Sequence, residues 1–159
     1  MNTTSASFPT ELESILNVMT EGVIIIDPLN AVVISLNRAA RDLFDFSSTE
    51  EAEQRLFIWS EFFEATYFDG RPIESSAWPI RRAFRGELFT NFEIVIRNRH
   101  AGGRSWVGSF NANPIRNSHG RVILVITVKN VTSGKRAEQA LTESEENFQS
   151  MADATPAMI

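Results

Sequence analysis

The chain has 159 residues, a formal charge of -5, 43% hydrophobic residues, 12 Phe, 3 Trp and no cysteine. That length admits one ordinary domain of ~120–130 residues with flanking segments and leaves no room for a second complete one. The acidic balance offers no attraction to nucleic acid or an anionic membrane, and the missing thiols exclude disulfides, thiolate metal sites, cysteine nucleophiles and a cysteinyl-flavin.

Residues 1–9 are small and polar and are expected to be a flexible tail. Thr10 and Glu13 form a Thr-x-x-Glu capping box, and Leu12, Ile15, Leu16 and Met19 follow as one apolar stripe, so a short amphipathic helix is predicted up to Glu21-Gly22. Val23–Ile26 and Ala31–Leu36 are β-branched runs separated by Asp27-Pro28-Leu29-Asn30, the pattern of a hairpin. The first run is far shorter than the ~20 residues of a membrane span, and no secretory pattern precedes it, so a cytoplasmic location is expected.

Asn37 is placed to cap a helix over about Arg38–Phe46. Thr49 to Gly86 then reads as short helices and loops rich in aromatics, among them Phe57, Trp59, Phe62, Phe63, Trp78 and Phe84, with Ser75-Ser76 capping a helix whose first turn holds Pro79. Three long strands follow, about Phe89–Asn98, Arg104–Arg116 and Val122–Val131, joined by turns at Ala101-Gly102-Gly103 and Asn117-Ser118-His119-Gly120. The order predicts an α+β fold: a five-stranded antiparallel sheet with helices over one face and a helix at either end. The last segment, Ser133–Ser150, is charged, with Ala137, Leu141, Ser144, Phe148 and Met151 in a heptad seam.

Several stretches together resemble the PAS family, over about residues 10–132. Glu21-Gly22-Val23-Ile24-Ile25-Ile26-Asp27 is similar to its glycine before a strand ending in aspartate, and Asn37-Arg38-Ala39-Ala40 to its Asn-x-Ala helix start. Asp69-Gly70-Arg71-Pro72, Trp78-Pro79-Ile80 and Arg85-Gly86-Glu87 resemble the helical block of one subgroup, and Asn113-Pro114-Ile115 with Asn130-Val131-Thr132 resembles the end of its sheet. The family usually closes that strand with Asp-Ile-Thr, and Asn130 departs from it. Beyond the domain, Glu143–Phe148 and Pro156–Ile159 resemble the opening of another PAS repeat.

The resemblance implies a sensory input domain of a histidine kinase or diguanylate cyclase type of protein. It divides the chain into a tail (1–9), a PAS domain (10–132), a helical connector (133–147) and the start of a second PAS domain (148–159). A signal would pass through the connector to a downstream effector in the same chain. A homodimer is expected through Leu12, Ile15, Leu16, Met19 and the connector, with no nucleic-acid or membrane partner. Ligand-free dimerisation and docking of a separate protein are the alternatives.

A ligand pocket follows from strand alternation. Phe92, Ile94 and Ile96 share one phase with Trp106, Gly108, Phe110 and Ala112, while Glu93, Arg97, Ser109 and Asn111 take the other. The expected pocket comprises Ile24, Ile26, Phe84, Phe92, Ile94, Trp106, Gly108, Phe110, Val125 and Thr127, with Gly108 leaving room beside Phe110. A solid aromatic core with no ligand is the competing outcome. The cofactor is left open, although haem and covalent flavin are not expected: both histidines, His100 and His119, fall in turns and not in the helical block where haem-binding relatives carry an axial ligand. No nucleophile elbow, metal-spaced ligand set or phosphate loop occurs, so no catalysis is expected.

Overall fold

Alternating apolar residues build the sheet. The computed structural model describes residues 3–48, 50–52, 59–99 and 104–154, with side chains over 11–48, 50–52, 61–99 and 104–146. His100, Gly102-Gly103, Phe57, the side chains of Trp59, Phe148 and Met151, and the last residues of the suspected second repeat lie outside that description.

Among the described residues six strands form one antiparallel sheet: β1 (Gly22–Asp27), β2 (Val32–Leu36), β3 (Phe63–Thr66), β4 (Phe89–Asn98), β5 (Ser105–Arg116) and β6 (Val122–Asn130). Their order across the sheet is β2-β1-β6-β5-β4-β3. The expected five strands are joined by β3, an edge strand inside the stretch assigned to helices. It pairs with β4 from Phe63↔Asn98 to Thr66↔Val95, burying Phe63 and Ala65. Glu64, on its other face, forms ion pairs with Arg97 and, at 2.9 Å, with Arg99. At four residues its alternation is too short to stand out among the surrounding aromatics.

The helices are α1 (Thr3–Val18), α2 (Arg38–Phe44), α3 (Trp59–Phe62), α4 (Pro79–Phe84) and α5 (Thr132–Ala154). The first begins well before the capping box at Thr10, although Pro9 removes one amide from its ladder. The second starts as expected: Asn37 Oδ1 accepts from the backbone N–H of Ala40 at 3.0 Å. It ends early because Asp45 enters the left-handed region at φ 56, and the Phe46 amide reaches back to the Arg41 carbonyl. The helix predicted from Ser75 through Phe84 is two pieces, a 3-10 turn over Ser75–Ala77 and then α4. Trp78 breaks them, at ψ 148, because Pro79 disfavours helical backbone in the residue before it.

The core lies between the inner face of the sheet and the helices. Ile24, Ile26, Ile94, Phe110, Leu124 and Ile126 meet Phe44 of α2 and Ile80 of α4 there. Phe44, Phe63 and Phe110 are among the largest fully buried side chains, each contributing roughly 1.5–3 kcal/mol through removal from water. Phe44 lies edge-on to Phe63 at 5.7 Å between ring centres and to Trp106 at 5.5 Å. Because β1 and β6 are antiparallel neighbours with Gly22↔Val128 in register, α1 arrives and α5 departs at the same end of the sheet. Among the described residues no helix is long and apolar enough to cross a membrane.

Candidate functional site

The expected pocket residues divide into three groups. Ile24, Ile26, Ile94 and Phe110 are buried in the core, and Phe84, Phe92 and Trp106 lie partly buried against it. Gly108 faces the same interior, opposite Ile94 in register, but the room expected beside it is filled: a Cβ there would come within 2.7 Å of the Phe110 ring and 2.9 Å of the Trp106 ring. Val125 and Thr127 are corrections. The pairings Ile24↔Ile126 and Ile26↔Leu124 put the even-numbered residues of β6 inward, so Val125 and Thr127 face the other side of the sheet. Val122–Val128 is apolar in both phases, so periodicity alone left the facing undecided.

Arg82 of α4 closes one end of the interior. Its guanidinium stands 4.8 Å from the Phe89 ring centre and 4.7 Å from that of Phe92, with Glu87 at 3.4 Å. Asp27 seals the neighbouring hairpin, accepting from the Leu29 and Asn30 amides at 3.1 and 3.3 Å and from Arg121 at 2.6 Å.

At the opposite end, where α5 leaves, a groove of about 970 Å³ opens between α2, the end of β4, the start of β5 and the base of α5. Of the expected pocket residues only Trp106 lines it. Asp42 and Asp45 contribute carboxylates, Arg104 and Arg136 guanidiniums, and Phe62 a ring. Asp45 accepts from Asn98 Nδ2 at 3.0 Å. Little in the sequence announced these charged residues, because exposed Asp and Arg carry no periodic signal and the groove gathers them from three separate stretches.

The base of α5 is fastened to the sheet beside this groove. Val107 donates its N–H to Thr132 Oγ1 at 2.8 Å and accepts from the Val131 amide at 2.9 Å. Asn130 Oδ1 accepts from the Thr132 N–H at 3.0 Å and from its hydroxyl at 2.5 Å, so the amide oxygen here makes these bonds without a formal charge. One turn on, Lys135 reaches Glu93 on the outer face of β4 at 3.1 Å and Glu138 at 3.2 Å. Its hydrogen bond to Glu93, then that to Glu138, raise its pKa above the ordinary lysine value. His119 is exposed in the β5–β6 turn. Among the described residues no three His, Asp or Glu side chains stand where they could hold a metal ion.

Residues 10–85 match the family model described as a PAS domain. No curated protein matches the sequence. Among solved structures, an RNA-binding light-oxygen-voltage receptor is 17% identical, with 93% of this chain aligned to 40% of that one at a TM-score of 0.56. A PAS domain from a two-component sensor histidine kinase is 12% identical over 79% of this chain and 98% of that one, at a TM-score of 0.52. The PAS domain of an HTR-like protein from Haloarcula marismortui is also 12% identical, over 79% and 93%, at 0.52. The chain thus spans about two fifths of the receptor, and at such identities the likeness is one of fold. Residues 10–85 match the PAS model, and the sheet that continues through Asn130 completes a PAS fold.

Proposed function

We propose that this PAS domain is a signalling input in which a small molecule held in the groove at the base of α5 changes how α5 sits on the sheet. PAS domains are commonly signalling inputs and are regulatory, not catalytic. The observation that carries the reading is that one concavity is walled by α2, the sheet and α5 together. A molecule bound there touches the emerging helix directly, whereas one in the interior would have to displace the packed rings of Phe44, Phe110 and Trp106. The bonds of Val107 to Val131 and Thr132 and the Glu93–Lys135 pair form a small, breakable attachment, and occupancy shifts α5 only by favouring one arrangement of it over another. The helix then carries that shift towards an effector further along the chain, of the histidine kinase or diguanylate cyclase type.

Native mass spectrometry with absorbance spectroscopy of the purified protein tests for a retained molecule. Hydrogen exchange tests the attachment: Thr132→Val should speed exchange at Val107 and along the first turns of α5 while leaving β1 and β6 protected. Unaltered exchange in α5 would count against coupling through this contact.

A second reading, in which the domain serves to dimerise, is favoured by α1. Leu12, Ile15 and Val18 are 48, 58 and 81% exposed, an apolar surface left uncovered among the described residues.

A further inference from the structure

We infer that the groove at the base of α5 takes a small zwitterion, in chemical class a free α-amino acid with an apolar side chain. This rests on the reading of that groove as the input site and goes on to name its ligand.

The lining carries two carboxylates, Asp42 and Asp45, both from α2 and its cap, and two guanidiniums, Arg104 at the entry to β5 and Arg136 on α5. The formal charges cancel, yet they are not spent on one another. Asp42, Arg104 and Arg136 form no ion pair among the described residues, and Asp45 is engaged by the neutral amide of Asn98. A ligand with a net charge of either sign would be attracted by one pair and repelled by the other. A molecule with an ammonium and a carboxylate on adjacent atoms gains from both, the ammonium at the α2 carboxylates and the carboxylate on a guanidinium, whose planar fork suits it.

The remaining surface fits the rest of such a molecule. Leu43, Phe62 and Trp106 are half-buried and offer an apolar floor for a side chain. At about 970 Å³ the groove lies within the ~300–1,000 Å³ range of small-molecule sites. Because Arg136 belongs to α5, the ligand's carboxylate would draw directly on the helix that leaves the domain.

The experiment uses the full chain and a thermal-shift screen of the twenty standard amino acids, each beside its N-acetyl and methyl-ester forms. One or a few apolar amino acids should raise the melting temperature, since a ligand that binds only the folded state stabilises it. Removing the ammonium or the carboxylate charge should abolish the shift, and Asp42→Asn and Arg136→Gln should each weaken binding by about tenfold or more. Both side chains are exposed, and unchanged urea midpoints will show that the variants fold. Equal binding of the capped forms, binding untouched by both substitutions, or no response to any of the twenty would overturn the inference. A retained molecule of another class, released by Arg136→Gln, would overturn the ligand class and leave the input site standing.

Discussion

At the scale of single residues, the strongest constraints are spatial at Gly108 and electrostatic at Asp27. A Cβ on Gly108 would press on rings of Phe110 and Trp106 that are held between the sheet and α2. Gly108→Leu should therefore lower stability by ~1–3 kcal/mol in urea unfolding, the usual range for overpacking, and Gly108→Ala by a smaller amount of the same sign. A neutral or stabilising alanine would mean that the interior is looser than the ring contacts imply. At Asp27, burial acts to raise the pKa, but the Asn30 amide, the Arg121 guanidinium and further hydrogen bonds outweigh it and the net shift is down from the ordinary 3.8. A carboxyl with a lowered folded pKa stabilises the protein above its unfolded pKa and loses that contribution as the pH falls through the folded value. Asp27→Asn should thus be less stable than wild type at about pH 7, with the gap narrowing towards about pH 3. A gap independent of pH would show that Asp27 acts through packing alone.

At the scale of elements, Asn37 joins three pieces of chain through one buried side chain. Its Oδ1 accepts from Val23 at 2.8 Å and Ala40 at 3.0 Å, and its Nδ2 donates to the Leu16 and Glu21 carbonyls at 2.8 and 2.9 Å. Asn37→Ala should cost about 2–4 kcal/mol, combining a lost helix cap with buried groups left unpaired. Asn37→Asp keeps the two accepted bonds but turns an oxygen towards the two carbonyls, so hydrogen exchange should quicken near the end of α1 while α2 stays protected. Equal loosening of both helices would refute a separate hold on α1. The cap of α2 was legible in the sequence because Asn before a helical run has one obvious use; the reach of its amide to α1 was not, since that depends on where α1 ends in space. The same distinction governs the rest. Strands β1, β2, β4, β5 and β6 were readable from β-branched alternation between turn residues, and the inward phase of Phe92, Ile94 and Phe110 followed from it. Four-residue β3, the break at Trp78 and the outward facing of Val125 and Thr127 were not, because each is decided by a neighbour's backbone or by register. Gly134 offers a local check on α5: it meets nothing within 4 Å, so Gly134→Ala should stabilise the protein by about 0.5–1 kcal/mol through helix propensity.

At the scale of the whole molecule, the sheet brings the arrival of α1 and the departure of α5 to one end, which decides how two copies would have to meet if they associate through α1. A parallel pair of α1 helices sets two α5 helices side by side, and a change at the groove in either copy can then be passed on as rotation or splaying of the pair. The sequence pointed to Leu12, Ile15, Leu16 and Met19 as the contact, but they are not equivalent. Leu16 is half-buried with its carbonyl bonded to Asn37, whereas Ile15 and Val18 are 58 and 81% exposed. Ile15→Glu is accordingly the cleaner probe, since Leu16→Glu would also disturb the fold of the monomer. A charge placed in an apolar interface is left without a partner, so Ile15→Glu should weaken association strongly. Leu141→Glu, on a seam that alternates with small and polar residues, should weaken it less, even though Leu141 is 62% exposed. Sedimentation of wild type and both variants decides the matter. A wild-type monomer at high micromolar concentration would sink the α1 interface for this chain. A dimer indifferent to both substitutions would move the contact to the outer face of the sheet, where the exposed Ile115 shares its phase with the half-buried Ile25 and Val125.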